Sequence, residues 1–496
     1  MPDNHIVSEE DNSGSDTLSG SGEGLNHSRE ANFFWDCSNP EIETILSELV
    51  TELRSYYLSE GGTPRGFKRE INLNILRRLI ADLHVCYLSD STRWLAVPFD
   101  REYYSVNTRY QPLFGAQGAA KRVRDFLHSN GYADVVAGFN DPNTGVGFRT
   151  RIRATQRLAD LLTNISVFDY SMSGESIRLK DDNKQLVEYD DTDLTNRMRG
   201  DIEIINNLIS RSWIDIRVPD DTFQQISSRR LLELSRNKLM RIFNNGTFEQ
   251  GGRFYGGWWI EIKARFRPYI TIDGAETIEL DYSSMHLAIL YAQAGLDLPA
   301  GDLYEIEGYP RKIVKTVFTR SVNCNSRIGT VNSIVNSIRE DIRKANLKIE
   351  QARTEHERNL AINKRQSIIE YTFEQLSEVA QRFEELHPLI SDYLYLGNGL
   401  QLQCLDARIA NLTMLRLSEL NIVALPVHDS FIVKRVHERQ LQEAMFSSFN
   451  SILEGSVNVG EGIVSTVETQ GNGHFDFATE IGSYSLYNIR RLEAED

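Results

Sequence analysis

The sequence predicts an α+β protein of more than one domain, with a winged-helix-like α/β region ahead of a larger region of sheet and charged helices. Three observations predict this. A chain of 496 residues is too long for one simple core, so two or three domains are expected. Apolar residues recur at helical spacing in some segments and alternate at strand spacing in others, so both element types are required. Charge is unevenly spread, with a formal net charge of −16 on a chain that carries two basic blocks. Hydrophobic content of 41% and charged content of 25% are those of a globular protein. No apolar run approaches the roughly 20 residues of a membrane span, and the N-terminus lacks a basic-then-apolar secretory layout. Those two absences predict no membrane partner, and Cys37, Cys86, Cys324 and Cys404, scattered without metal-type spacing, predict a reducing cytoplasm.

Residues 1–32 hold seven acids against Arg29 and read as a disordered acidic tail. Over 33–165 the expectation is the winged-helix-like, DNA-binding region. Residues 40–58 and 68–88 show helical apolar spacing, for example Ile45, Leu49 and Leu53. Residues 117–130 read as a further helix, ending at the C-cap signal Asn130-Gly131. YADVVAGF and GFRTRIRAT then read as two strands joined by the turn-rich NDPNTGVG. Arg149, Arg151 and Arg153 alternate, so they share one face of the second strand. That face suits phosphates flanking a duplex, with a polar edge strand as the plainer reading. Residues 166–225, acidic and mixed, read as a connector with a small hairpin.

Beyond 226 the basic blocks appear. Residues 229–267 hold nine bases against three acids, and 311–348 hold nine against two, a pattern that fits a confined polyanion groove. Residues 329–386 are charged and helical, and Ile338, Ile342, Ala345, Ile349 and Ala352 form one narrow stripe.

Three segments carry chemistry. In AETIELDYSSMHLAILYAQAG, residues 275–295, Ile278 and Leu280 alternate with polar neighbours in a strand that ends at Asp281. Ser283 or Ser284 can cap the helix that follows, and an N-cap aspartate is the plainer role for Asp281. In LPVHDSFIVKR, residues 425–435, His428 and Asp429 sit on the turn between two apolar runs, where ordinary turn chemistry also places an Asp-Ser pair. The two acids stand 148 residues apart, and a shared sheet would join them. Paired carboxylates without a His/Cys ligand set favour Mg²⁺ over zinc, and two such ions can drive an in-line displacement at phosphorus. In GYPRKIVKTVFTRSVNCN, residues 308–325, Pro310 suits a first helical turn, and Arg311, Lys315 and Phe318 or Thr319 fall on one face. Cations opposite two acids are what an incoming triphosphate needs.

In this order, acid strand, basic helix, acid hairpin, the chain resembles the family-A polymerases: the bacterial DNA polymerase I group and the single-subunit phage-type RNA polymerases. DYSSMHLAIL is similar to the first palm motif, DYSQIELRIL. VHDSF is similar to the palm HD motif, and Arg311 and Lys315 match the R-x₃-K of the fingers helix. Gly252-Arg253 resembles the TGR element, QRFEELHPLISDYL the helix after the fingers, and Gln403 the family's Q-G-T glutamine. The resemblance covers roughly residues 226–455. It implies a right-hand palm with an antiparallel sheet and helical fingers: palm over 226–300 with a thumb-like basic helix, fingers over 301–395, and palm again with a C-terminal tail over 396–496.

By the same resemblance, Asp281 and Asp429 hold two Mg²⁺ ions, with Mn²⁺ as a substitute and the Tyr282 carbonyl assisting. Arg311 and Lys315 bind the triphosphate. Arg253, His428 and Gln403 meet the primer–template, and His286, Phe318 and Asn323 border the nucleotide. The chain departs from the pattern where His286 replaces a sugar-policing glutamate, Ala288 an arginine, Asn323 a tyrosine and Cys324 a glycine, and where Thr319 stands in an aromatic's place. The expected function is a template-directed DNA polymerase acting on primer–template and dNTPs for a plasmid, phage or mobile element. The alternatives are a primase or RNA polymerase of the same fold and a catalytically silent replication initiator.

Overall fold

The computed structural model describes residues 25–453, except 26, 38, 106, 107, 114, 141–146, 166–169, 173, 220, 221, 224, 225, 227–231, 233, 235 and 353, and adds the backbone of 464–466. Of 89, 140, 171 and 172 it describes the backbone alone. The acidic tail up to residue 24, most of the NDPNTGVG turn, Arg229 and Arg230, and the C-terminal tail apart from that short strand lie outside the described residues. The chain divides into two units, one over residues 25–105 and 111–172 and the other over 108–110, 174–453 and 464–466.

In the first unit the expected helices are Pro40–Ser59, Arg69–Ser89 and Gln117–Ser129. The first is started by Asn39, whose side chain accepts from the Glu41 N–H, with Pro40 at the first helical position, where its missing N–H costs nothing. Its buried stripe is Ile42, Leu46, Leu49, Val50 and Leu53, so Ile45 flanks the core. These three helices pack on one another. The strands are β1 (Ser28–Glu30), β2 (Trp35–Cys37), β3 (Trp94–Val97), β4 (Ala133–Val136), β5 (Phe139–Asn140), β6 (Gly147–Phe148), β7 (Thr150–Ala154) and β8 (Tyr170–Met172). The hairpin read as a two-stranded wing is part of a larger sheet. Strands β4 and β7 pair, but β7 also pairs β3, giving the four-stranded order β1-β3-β7-β4. The reason is apolar: Trp94, Leu95, Ala96 and Val97 are all buried, and only a sheet interior satisfies the backbone of such a run.

The second unit begins with β9 (Ile177–Leu179) and contains an element that acidic composition concealed. The stretch expected as a connector carries the eighteen-residue helix Asp193–Ser210, opened by a capping box between Thr192 and Thr195 and burying Met198, Ile202, Ile205 and Ile209. Strands β10 (Ile214–Ile216), β11 (Met240–Phe243), β12 (Gly251–Tyr255), β13 (Ile270–Ile272), β14 (Ala275–Tyr282), β15 (Leu425–Val427), β16 (Ser430–Lys434) and β17 (Val464–Thr466) follow. They make a six-stranded sheet, β10-β13-β14-β16-β15 with β17 on β14, all antiparallel, and a three-stranded sheet β12-β11-β9. Along β14, Ile278, Leu280 and Tyr282 are buried while Glu279 and Asp281 alternate with them. The period of two puts both acids on one face. Burying Leu280 contributes about 2 kcal/mol.

Helices Met285–Gln293, Gly399–Glu419 and Glu438–Ile452 surround the sheets. The Gly399–Glu419 helix packs on β12, on Met285–Gln293 and on Glu438–Ile452. The charged stretch forms Arg327–Gln351, Glu355–Gln366 and Phe373–Leu386. In its expected stripe Ala345 is buried, and Ile338, Ile342 and Ile349 are half-buried, as befits a helix that packs on its neighbours Glu355–Gln366 and Phe373–Leu386. Among the described residues no helix is long and apolar enough to cross a membrane.

Candidate functional site

Antiparallel pairing of β14 with β16 sets Asp281 opposite Ser430, so Asp429, one residue before Ser430, reaches the same sheet end. The two acids are thereby joined. Asp281 is the penultimate residue of β14 and not a helix cap. Asp429 stands in the two-residue turn between β15 and β16, where His428 takes a left-handed φ of 62°. Tight hairpins need this positive φ, and a non-glycine residue holding it is uncommon. Ser284 occupies the N-cap of the next helix at φ 55°, but its side chain makes no capping bond. The expected serine cap is therefore absent at this N-cap, whose backbone is left-handed where a capping side chain needs an extended one.

Burial holds the Asp281 carboxyl well above the usual carboxylate range, reinforced by the charges of Asp429 and Glu279, while Lys315 pulls the other way. Its Oδ1 is buried with no hydrogen-bond partner. Glu279, the nearest further acid, is already engaged. It forms a forked ion pair with Arg267, at 2.8 Å for each bond, and accepts from the Ser430 hydroxyl at 2.5 Å. Tyr282 lies in the core, its hydroxyl donating to the Met445 carbonyl at 2.7 Å.

The basic helix is Arg311–Ser321, with Pro310 at its N-cap. Arg311, Lys315 and Thr319 are exposed at successive turns, while Phe318 is buried at 3% exposure. Phe318 packs on Tyr304 and Phe383 with ring centroids 5.9 and 5.4 Å away. It anchors the helix through these rings, and Arg311, Lys315 and Thr319 make up the exposed face. Arg311 pairs with Asp302 at 2.9 Å. Asn323 lies just past the helix, exposed, and donates to the Thr319 carbonyl at 2.7 Å.

A residue that sequence reasoning missed organises the rest. Asp406, on the Gly399–Glu419 helix and 2% exposed, takes two bonds from Arg253 Nε at 3.2 and 3.1 Å and one from its Nη2 at 2.5 Å. It also meets His286 Nε2 at 2.9 Å. Although burial opposes it, these partners hold the Asp406 carboxyl below the usual range. His286 is therefore tied to a buried acid, not swung towards solvent. Arg253 and Tyr255 alternate along β12, and the Tyr255 ring meets His428 edge-on at 6.2 Å. Burial and then the Arg253 charge depress the His428 pKa, and its Nδ1 is buried without a partner. Gln403 is half-buried on the Asp406 helix, and no hydrogen bond ties it to the acids.

Among the described residues of the basic block over 229–267, four bases are already paired or buried. Arg236 pairs with Glu261, Arg253 with Asp406 and Arg267 with Glu279. Arg241 is buried between the rings of Phe243 and Phe254, and burial brings its pKa down to about 10. Local sequence counts charges but not their partners. In the first unit, Arg149 pairs with Glu30 and Arg153 with Asp134, whereas Arg151 donates to the carbonyls of Leu25 and Arg149.

The acid pair fits a hard divalent cation. It offers oxygen donors only, and the orphaned Asp281 Oδ1 together with the mutual charge of Asp281 and Asp429 calls for a positive counter-charge. Among the described residues no three His, Cys, Asp or Glu side chains are grouped to hold a metal. Water and substrate oxygens would complete the shell, as Mg²⁺ commonly requires. No known family model matches the chain, and no curated protein matches it.

Proposed function

We propose that the chain is a template-directed DNA polymerase that joins nucleotides by metal-assisted nucleotidyl transfer, for replication of a plasmid, phage or other mobile element in a cytoplasm. The observation that carries this reading is the junction of Asp281 and Asp429 by the β14–β16 pairing, with Lys315 close enough to act on the Asp281 charge. In this reading the six-stranded sheet is the palm and the Arg311–Leu386 helices are the fingers. Asp281 and Asp429 would hold Mg²⁺, which when bound lowers the pKa of an attacking hydroxyl and takes up charge on the leaving pyrophosphate. Lys315 and Arg311 clamp the triphosphate, Arg311 exchanging its exposed partner Asp302 for phosphate. Asp406 fixes the Arg253 guanidinium, which with His428 and Tyr255 borders the primer end. The face of Arg149, Arg151 and Arg153 adds phosphate contacts.

A primase or RNA polymerase of the same architecture is the second reading, favoured by one observation. His286 and Asn323, the residues that the polymerase resemblance sets against the sugar, are both held by other groups, at Asp406 and at the Thr319 carbonyl. Primer extension with dNTPs and with rNTPs, each in Mg²⁺ and in Mn²⁺, separates these readings. Incorporation of dNTPs on a primed template supports the first. Unprimed product from rNTPs supports the second. DNA binding with no incorporation in either metal overturns both and leaves the initiator.

A further inference from the structure

We propose that the first unit binds single-stranded DNA on the β5–β6 ribbon, with Phe139 as the platform on which a base stacks and Arg149 and Arg151 as its phosphate contacts. This goes beyond the polymerase reading and needs no nucleotidyl transfer. Phe139 and Phe148 are direct cross-strand partners, and their rings meet edge to face with centroids 4.9 Å apart. Phe148 is half-buried, but Phe139 remains 43% exposed. The lower ring therefore holds the upper one in place, and the exposed ring offers π surface to a ligand.

The surrounding charge selects the occupant. Arg151 lies over the Phe148 ring, 5.6 Å from its centroid, and is half-buried, with its bonds going to carbonyl oxygens and not to a carboxylate. Arg149 is held by Glu30 in a pair that is more than half exposed on both sides. Such a pair is worth little in water and exchanges readily for phosphate. Arg153 continues the row one residue beyond Ile152, over the Trp94 ring at 4.4 Å. Gly138 lets the backbone turn between β4 and the ribbon: a Cβ there would meet the Phe148 carbonyl oxygen and the Thr150 nitrogen at 2.5 Å. This contact keeps the ribbon against the start of β7, so aromatic and arginine side chains stay within one short stretch. An exposed aromatic ring beside arginines suits a single strand, whose bases are free to stack and whose phosphates track the cations. A duplex presents phosphates but no free base face.

The test uses the full chain without nucleotides, titrated by fluorescence anisotropy against a short labelled oligo-dT and against a hairpin duplex of the same charge. Phe139→Ala is expected to weaken oligo-dT binding roughly tenfold and to leave duplex binding unchanged, and Phe139→Trp to retain wild-type affinity. Arg151→Ala should lower the salt slope for oligo-dT by about 0.7. A 5-iododeoxyuridine oligonucleotide should photocross-link to Phe139 or Phe148. Unchanged oligo-dT affinity in Phe139→Ala overturns the proposal, as does an equal loss for the duplex or cross-linking confined to the other unit. Because nucleotides are left out of the titration, loss of this site is read separately from any loss of polymerisation.

Discussion

At the scale of single residues the acids divide by what surrounds them. Asp281 and Asp429 lie at one end of the β14–β16 pair, with an Asp281 oxygen unsatisfied, whereas Glu279 and Asp406 are saturated by arginine, hydroxyl or imidazole donors. Only the first pair is free to take a cation. Asp281→Ala and Asp429→Ala are each expected to lower incorporation by at least a thousandfold while leaving thermal stability near wild type, because a lost carboxylate ligand removes several kcal/mol of transition-state stabilisation. Single-turnover primer extension beside a melting curve checks both. Asp406→Ala should act in the opposite manner. It strands the Arg253 guanidinium, 20% exposed, and breaking a buried pair in this way costs on the order of 3–5 kcal/mol, seen as a lower denaturant midpoint. Under the proposed polymerase reading, the anchoring of His286 by Asp406 bears on sugar choice. With His286 held by Asp406, the dATP preference over ATP should be at most about two or three factors of ten, measured as kcat/KM opposite one template base. His286→Gln, which keeps a donor for Asp406 without adding charge beside it, is the fitting variant. A strong dNTP preference unchanged by it would show that discrimination lies elsewhere.

At the scale of elements, the helix after the acid strand is locked to the helical region by His387. This histidine is 1% exposed. Its Nε2 lies 2.8 Å from the Leu303 carbonyl and must carry the proton, so its Nδ1, 2.8 Å from the Tyr291 hydroxyl, accepts. Burial lowers its pKa from 6.5, although the Leu303 bond opposes the shift. A histidine whose folded pKa is depressed contributes stability above its unfolded value and loses it as pH falls through the folded one. The second unit should therefore lose stability as pH drops below about 6.5, and His387→Gln should flatten that loss. Thermal melts between pH 7.5 and pH 5, wild type against variant, check the sign. The Arg311–Ser321 helix illustrates how far its own sequence reaches. Its spacing put Arg311 and Lys315 on one face, as observed, but left the third member open between Phe318 and Thr319. The contacts with Tyr304 and Phe383 settle that Phe318 is core.

At the scale of the whole molecule, each unit has its own sheet and its own buried residues, and separate cores unfold as separate cooperative blocks. Calorimetry should show more than one transition, with a calorimetric enthalpy above the van't Hoff value of either. Asp406→Ala should shift only the transition of the second unit. A single two-state transition that moves as a whole would show one cooperative core.

The sequence by itself determined the elements whose information is local: the Pro40–Ser59, Arg69–Ser89 and Gln117–Ser129 helices, the alternation of β14, and the hairpin around His428. Periodicity and turn chemistry act over a few residues, so they are readable in one segment at a time. The tertiary structure decided what depends on partners distant along the chain. It drew the second strand of the expected wing into the interior of a four-stranded sheet, with the first strand at its edge, and placed a core helix in the expected connector. It placed three bases of the first basic block, Arg236, Arg253 and Arg267, in ion pairs and buried Arg241, and it brought in Asp406, 153 residues from Arg253. An isolated aspartate within a helical pattern carries no sign of the guanidinium it will meet. Charge satisfaction and sheet neighbours belong to pairs of segments, and only folding brings those pairs together.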